Sequence, residues 1–266
     1  MPRKALVPST HRQQRILGLV HEQGDARVSE LSDLFGVSEV TVRSDLAALA
    51  SRGLVVRTYG GVALPERGLG LKAVELTFAV RDGSNVDLKS RIGEAAAELI
   101  KDGQSVVLDA STTALQVGRA LGRRRSLHDV TVITNGVYTA LELLDLPGVN
   151  TILTGGQLRA TAVSLTGGLG AELLSKVHCS VGFFGAKGLT TFQGLTDVNL
   201  QEVEMKKAMA AVCERVVAVV DHTKLGQVGL ATFVSVSRLA LVITDAGADT
   251  GIVKEIEQAG VEVQLV

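Results

Sequence analysis

Three consecutive hydroxyls, Ser111, Thr112 and Thr113, follow Asp109 where an apolar run from Gln104 to Ala110 gives way to a helical pattern over Thr113 to Leu121. Hydroxyls beside the unpaired amides of a helix start form a cradle for a phosphate or another anion. Similar residues recur at the ends of further apolar runs: Thr134, Asn135 and Gly136; Thr154, Gly155 and Gly156; Gly185 to Gly188; Asp221, His222, Thr223 and Lys224. Strand ends of this kind point to one shared ligand site, because an open α/β sheet gathers its ligand at the carboxyl ends of its strands. Simpler readings stand beside this one: an N-cap at Ser111–Thr113, a turn at Gly155–Gly156, a surface ion pair between Asp221 and Lys224.

A second chemistry lies near the N-terminus. With Ser38 as N-cap, Val42, Leu46 and Leu49 repeat at the spacing of one buried helical stripe, and Val40, Arg43, Ser44, Ala47 and Ser51 turn outward. That outward face is slim, nearly uncharged and led by one arginine, which suits a DNA major groove; a merely amphipathic helix is the alternative. Residues 12–23 predict a first helix ended near Gly24. Residues 28–35 predict a second, with Leu31, Leu34 and Phe35 inward and Gly36 as C-cap. Gly53 is expected to end the third, and Leu54–Arg57 with Gly61–Leu64 predict a hairpin around Thr58, Tyr59 and Gly60. Helix, helix, glycine turn, helix and hairpin is the order of a winged helix-turn-helix.

The stretch VSEVTVRSDLAALASRGLVVRTYGGVAL resembles the DNA-binding domain of the DeoR/GlpR family of bacterial transcriptional regulators, whose pattern runs VSxxTxRRDLxxLxxxGxLxRxHGGA. Ser44 replaces the usual second arginine and Tyr59 the wing histidine, which leaves the operator sequence open rather than DNA binding itself. The resemblance implies contacts to double-stranded operator DNA from Arg15, Ser38, Glu39, Thr41, Arg43, Ser44, Arg57 and Tyr59. KSRIGEAAAELIKDGQSVVLDASTT, TVITN, TILTGGQL, GFFGAKGL, GLTD and VVDHTKLG resemble ordered landmarks of the family's C-terminal sensor domain. That domain is similar in fold to ribose-5-phosphate isomerase. The resemblance implies a phosphorylated sugar or polyol effector, its phosphate in the Ser111–Thr113 cradle and Lys224 facing it. Asp109, Asn135, Gly155, Gly156, Lys187, Asp197, Lys206 and Asp221 complete the implied effector site. A repressor released by its effector, acting as a dimer or tetramer, is the implied mode of action.

The rival reading is an isomerase with a DNA-binding arm. Such chemistry needs a general base, usually a carboxylate. The isomerase spacing, counted back from Asp221–Lys224, puts Lys206 at the base position, where a protonated lysine cannot serve without a strongly lowered pKa. Glu202 and Glu204 lie close enough in sequence to keep that reading open. The expectation is no catalysis and no cofactor.

The elements that must position these groups follow from the alternation of patterns. Helices are expected over 88–100, 113–121, 137–144, 169–176, 201–213 and 252–259. Strands are expected over 104–110, 130–135, 150–154, 180–185, 216–221, 239–244 and 261–266. Continuous Val/Ile/Leu strands alternating with helices predict a mainly parallel sheet covered on both faces. The division expected is a winged helix over 1–64, a linker over 65–90 with one short strand or helix near 74–80, and a sensing α/β domain over 91–266.

Composition narrows the class further. A chain of 266 residues that is 46% hydrophobic exceeds one winged helix and suits two domains. Net charge is −1; residues 1–64 carry eight Lys/Arg against six Asp/Glu, so the DNA reading rests on pattern rather than charge. Cys179 and Cys213 are too far apart in sequence for a metal knuckle and read as core residues of a reduced protein, and five scattered histidines give no ligand pair, so no metal is expected. Gly167, Gly168 and Gly170 echo a dinucleotide fingerprint without its spacing or a preceding strand. Arg123–Arg125 reads as a solvated charge run. The basic start MPRKALVPST lacks the apolar core of a signal peptide, and no run approaches a membrane span, so a cytoplasmic location is expected.

Overall fold

The structure is a computed structural model that describes residues 9–51, 54–63, 75–124 and 126–266. Gly53, Leu64, the linker stretch 65–74, Arg125 and the basic start up to residue 8 lie outside the described residues. The chain divides into two compact units, Met1–Ser84 and Asn85–Val266.

In the first unit, α1 (Ser9–Gln23) leads into β1 (Asp25–Arg27), α2 (Val28–Phe35) and α3 (Glu39–Ser51). The short strands β2 (Val56–Thr58) and β3 (Gly61–Ala63) pair antiparallel, and β1 adds to the far side of β3 in the order β1-β3-β2. The core is built from Ile16, Leu17 and Val20 of α1, Val28 and Leu31 of α2, and Val42, Leu46 and Leu49 of α3. Gly36 adopts φ 62° and its amide bonds the Ser32 carbonyl, so it is the C-cap that turns the chain between α2 and α3. Leu34 departs from expectation and is exposed. The buried stripe of α2 runs through Val28, Leu31 and Phe35, and a residue one position before Phe35 falls about 100° off it. A short helix, α4 (Phe78–Gly83), packs on α1 and adds Val80 to this core.

The second unit begins with α5 (Val86–Glu98). Then come β4 (Ser105–Leu108), α6 (Thr112–Leu121), β5 (Val130–Thr134), α7 (Val137–Leu143) and β6 (Val149–Leu153). A hairpin of β7 (Gln157–Arg159) and β8 (Ser164–Thr166) precedes α8 (Gly168–Leu174) and β9 (Cys179–Phe184). Next are β10 (Gly188–Thr190), β11 (Gly194–Asp197), α9 (Leu200–Ala211), β12 (Cys213–Val219) and β13 (Ala231–Val234). The chain closes with β14 (Leu239–Thr244), α10 (Thr250–Gln258) and β15 (Glu262–Leu265). Seven strands form one sheet in the order β15-β14-β12-β9-β4-β5-β6, with every pairing parallel. Successive side chains of a strand face opposite sides. Val106 and Leu108 therefore join the cluster under α5 and α6, while Val107 joins the cluster under α9 and α10. Two buried faces explain why the inner strands are largely apolar rather than alternating, while the edge strands β6 and β15 are only partly buried.

The strand order reverses between β4 and β9. The chain moves outward from β4 to β5 and β6, then returns to the other side of β4 and moves outward again. Such a switch point leaves a crevice beyond the carboxyl ends of the two central strands. Gly167, Gly168 and Gly170 do follow a strand, β8, contrary to expectation. It is a three-residue antiparallel hairpin strand, so the parallel βαβ setting of a dinucleotide fingerprint is still missing.

Candidate functional site

The reading surface is built on α3. Ser38 Oγ accepts the Thr41 amide at 3.2 Å, closing the helix start, and also lies 2.9 Å from Thr41 Oγ1. Val40, Arg43, Ser44, Ala47 and Ser51 are all exposed. Arg43 holds Glu39 at 2.8 Å across one helical turn with both side chains about half exposed, so its guanidinium is oriented but accessible. Arg43 also lines a cleft with Arg57, Thr58 and Tyr59 of the β2–β3 hairpin, and Tyr59 stands fully exposed at the hairpin tip. Arg15, on α1, lies over the Phe35 ring at 5.0 Å. Pattern reading passed over what fixes α3 from behind. Asp45 is buried, 2.5 Å from Arg12 Nε and 3.0 Å from Gln13 Nε2, and ties α3 to α1.

In the second unit, the crevice beyond β4 and β9 carries the polar residues singled out from the sequence. Ser111 caps α6, its Oγ taking the Ala114 amide at 3.1 Å, and puts Thr112 and Thr113 in the first turn, where their amides have no carbonyl within the helix to bond. Buried Asp109 accepts the Ser111 amide at 3.0 Å and the Gly185 amide at 3.1 Å, joining the ends of β4 and β9. Gly185 must lack a side chain: a Cβ there would lie 2.4 Å from Ser111 Oγ.

Lys206 reaches this centre from α9. Its Nζ lies 3.0 Å from Asp109 Oδ2, 2.7 Å from Asp197 Oδ2 and 2.9 Å from the Gly185 carbonyl, with the Phe233 ring 4.9 Å away. Burial pushes its pKa down, but the carboxylates of Asp109 and Asp197 outweigh that and the net shift is upward. The ammonium is thus protonated and its three donors are engaged.

The remaining residues stand around this centre. Asn135 follows β5; its Nδ2 donates to the Leu165 carbonyl at 3.2 Å, and its Oδ1 is buried without a partner among the described residues. Gly156, at φ 131°, allows the β6–β7 turn to meet β8, where a Cβ would lie 2.2 Å from the Thr166 carbonyl. Lys187 is half-buried just after β9, its amide on the Thr196 carbonyl. Asp221 and Lys224 bond within their own turn beyond β12: Asp221 takes the Thr223 amide at 3.0 Å, and Lys224 Nζ lies 2.9 Å from Thr223 Oγ1. That turn meets the Lys187 region through the pairing of Leu225 with Leu189.

Two groups escaped sequence reading. Glu202, considered only as a stand-in base, is buried and bonded through Oε1 to Arg159 at 2.5 Å and to the Ser164 hydroxyl. The signal for it was its i, i+4 spacing from Lys206 on one helix face. Buried Asp245, beyond β14, takes the His222 amide at 2.8 Å and the Gly247 amide at 3.0 Å, with His222 Nδ1 at 2.7 Å. Burial would raise its pKa, but these hydrogen bonds hold it below the ordinary value.

A winged helix and a doubly wound sheet with a polar crevice define a DNA-binding regulator with a sensing domain. Residues 12–67 match the model of the DeoR-like helix-turn-helix domain, and residues 84–246 match that of the DeoR C-terminal sensor domain. The chain belongs to the DeoR family of transcriptional regulators. It is 37% identical over 256 residues to the HTH-type transcriptional regulator GolR of Listeria innocua, covering 96% of this chain and 97% of that one. It is 32% identical over 263 residues to the putative aga operon transcriptional repressor of Escherichia coli O157:H7, covering 99% and 96%. To the glycerol-3-phosphate regulon repressor of Escherichia coli K12 it is 29% identical over 256 residues, covering 96% and 98%. Among solved structures, ribose 5-phosphate isomerase A of Methanocaldococcus jannaschii has 22% identity and a TM-score of 0.40 over 53% of this chain and 55% of that one.

Proposed function

We propose that this protein represses a sugar or polyol catabolic operon and is released from its operator by a phosphorylated sugar metabolite. The unit up to Ser84, with α4 packed in its core, reads DNA, and the unit from Asn85, opened by α5, senses the effector. The observation that carries the reading role is the slim exposed face of α3, with Arg43 opening onto the same cleft as Arg57 and Tyr59 of the wing. Arg43, Ser44 and Thr41 meet the major groove, assisted by Arg15, Ser38 and Glu39, while Arg57 and Tyr59 meet the flanking backbone. A dimer or tetramer places two such helices in successive grooves. Relatives named for the glycerol-3-phosphate regulon and the aga operon support the effector class. The amides of Thr112 and Thr113 take the effector phosphate, and Lys187 and Lys224 supply positive charge at the rim. Lys206, already held by two carboxylates, serves as the brace of Asp109 and Asp197.

Catalysis is not part of this reading. At the position where the isomerase spacing puts the general base stands a charged lysine, held by Asp109 and Asp197. Among the described residues no helix is long and apolar enough to cross a membrane, and a cytoplasmic site of action fits a DNA reader.

The test starts from a random duplex library. Full-length protein is expected to select one sequence motif, and Arg43→Ala is expected to weaken that duplex by more than about tenfold with an unchanged unfolding midpoint, since the surface pair it breaks is worth only about 0.3–0.5 kcal/mol. Selection of no motif, or wild-type affinity in the variant, would sink the assignment.

A further inference from the structure

Resting on the sensing role just proposed, a second part of that site can be identified: we propose that Glu202, Asn135, Thr154 and Thr166 form a hydroxyl-reading subsite, beside the phosphate cradle, for the polyhydroxylated body of the effector.

Contacts run in a closed circuit around one spot. Asp109 is bonded to the Ser111 amide, and the adjoining Ala110 backs onto Gly136, where a Cβ would lie 3.0 Å from the Ala110 Cα. Asn135, next to Gly136, is tied to Leu165 twice, by its carbonyl at 2.8 Å and its Nδ2 at 3.2 Å. Ser164, beside Leu165, bonds Glu202. One helical turn on, Lys206 returns the circuit to Asp109. The cradle and the Glu202 group therefore border the same space.

The chemistry of that second side differs from the first. Asn135 Oδ1, Thr154 Oγ1 and Thr166 Oγ1 are buried polar atoms with no hydrogen-bond partner among the described residues. All three come from the ends of β5, β6 and β8, which the Thr154–Thr134 and Leu165–Asn135 backbone bonds draw together. Buried polar atoms are nearly always satisfied, so three unsatisfied ones in one place mark where a partner with hydroxyl groups belongs. Glu202 adds a carboxylate oriented by Arg159 and Ser164 through Oε1 alone, so Oε2 is left to accept. An amide oxygen, a carboxylate oxygen and two hydroxyls match neighbouring alcohols, which both donate and accept. Inorganic phosphate, which only the cradle engages, gains nothing from them.

Thr154 and Thr166 make the test clean, because their hydroxyls bond nothing among the described residues and Val replaces Thr at equal shape. The full-length chain is titrated calorimetrically with inorganic phosphate, glycerol 3-phosphate, ribose 5-phosphate, fructose 6-phosphate and glucitol 6-phosphate, and with the four unphosphorylated counterparts. At least one phosphorylated polyhydroxy compound is expected to bind at least about tenfold tighter than inorganic phosphate. Thr154→Val and Thr166→Val are expected to weaken that compound by about tenfold or more, with unfolding midpoints unchanged or raised and phosphate affinity kept within about twofold. Glu202→Gln, checked for a wild-type circular dichroism spectrum, should weaken it further. Wild-type affinity in all three variants overturns the subsite while leaving the phosphosugar reading in place. Equal loss toward inorganic phosphate also overturns it. An unphosphorylated compound that binds as tightly and loses affinity in the variants supports the subsite and removes phosphate from the effector. Binding of no compound overturns both.

Discussion

Lys206 shows what a single residue can settle. The family resemblance implied an effector ligand here, yet each of its donors already has a protein acceptor, and it holds two carboxylates inside the domain. Lys206→Met is expected to destabilise the protein by about 3–5 kcal/mol near neutral pH, read from urea unfolding, because Asp109 and Asp197 keep their burial and lose their counter-charge. The pH dependence follows from the direction of the shift. A raised folded-state pKa means the contribution is complete below the unfolded lysine value of about 10.4 and is lost as pH rises through the folded value, so the wild-type advantage should narrow only in strong alkali. Asp245 has the opposite sign. Its lowered pKa gives stability above the unfolded value of about 3.9 that is lost as pH falls through the folded one, and Asp245→Asn should flatten that acid limb. The cysteines illustrate a third case, inertness through burial. Cys179 and Cys213 sit opposite each other on β9 and β12, and burial pushes their thiols up to about 11 and about 12. Less than about 0.1% thiolate is then present at pH 8, so a disulfide reagent should react at least about a hundredfold faster after unfolding than before.

At the scale of elements, the recognition helix depends on what lies behind it. The Asp45 carboxylate balances Arg12 in the core between α1 and α3, and Asp45→Ala should cost about 3 kcal/mol or more and loosen operator binding without touching an exposed residue. Arg12→Met with Asp45→Leu should restore much of the urea resistance; failure of the double variant to do so would show that the pair is worth more than its desolvation. How far such elements can be foreseen differs by kind. The inner parallel strands are legible because their apolar runs are buried on both faces, the edge strands β6 and β15 only because they complete the alternation with helices, and α2 and α3 because apolar spacing and caps agree. The strands β1, β7, β8, β10, β11 and β13 are not, since three or four residues set no period and only the partner strand defines them. The site divides in the same way. The cradle is local in sequence, four hydroxyl or acidic residues within Asp109–Thr113, and is readable. The Arg159–Glu202–Ser164 group is assembled from residues 38 and 43 positions apart, and only the return of the chain to β9 brings them together.

At the scale of the whole molecule, the two units are linked by a free-energy requirement. An effector can shift DNA binding only by as much as its affinity differs between the DNA-bound and DNA-free forms, and the dependence is mutual. If the effector found in the calorimetric panel weakens the selected operator duplex by a given factor, that duplex must weaken the effector by the same factor. The quantity is measurable from both sides: operator affinity by fluorescence anisotropy with and without saturating effector, and effector affinity by calorimetry with and without duplex. A factor of about 5–150 is the ordinary range for such coupling. Thr154→Val should lower effector affinity in both DNA states alike and so leave the factor unchanged, because its hydroxyl lies in the sensing unit and bonds no other group among the described residues. If that variant instead abolished the coupling while the effector still bound, Thr154 would belong to the path between the units rather than to recognition. Saturating concentrations separate the two outcomes, since a pure affinity loss disappears when more effector is added and a coupling loss does not.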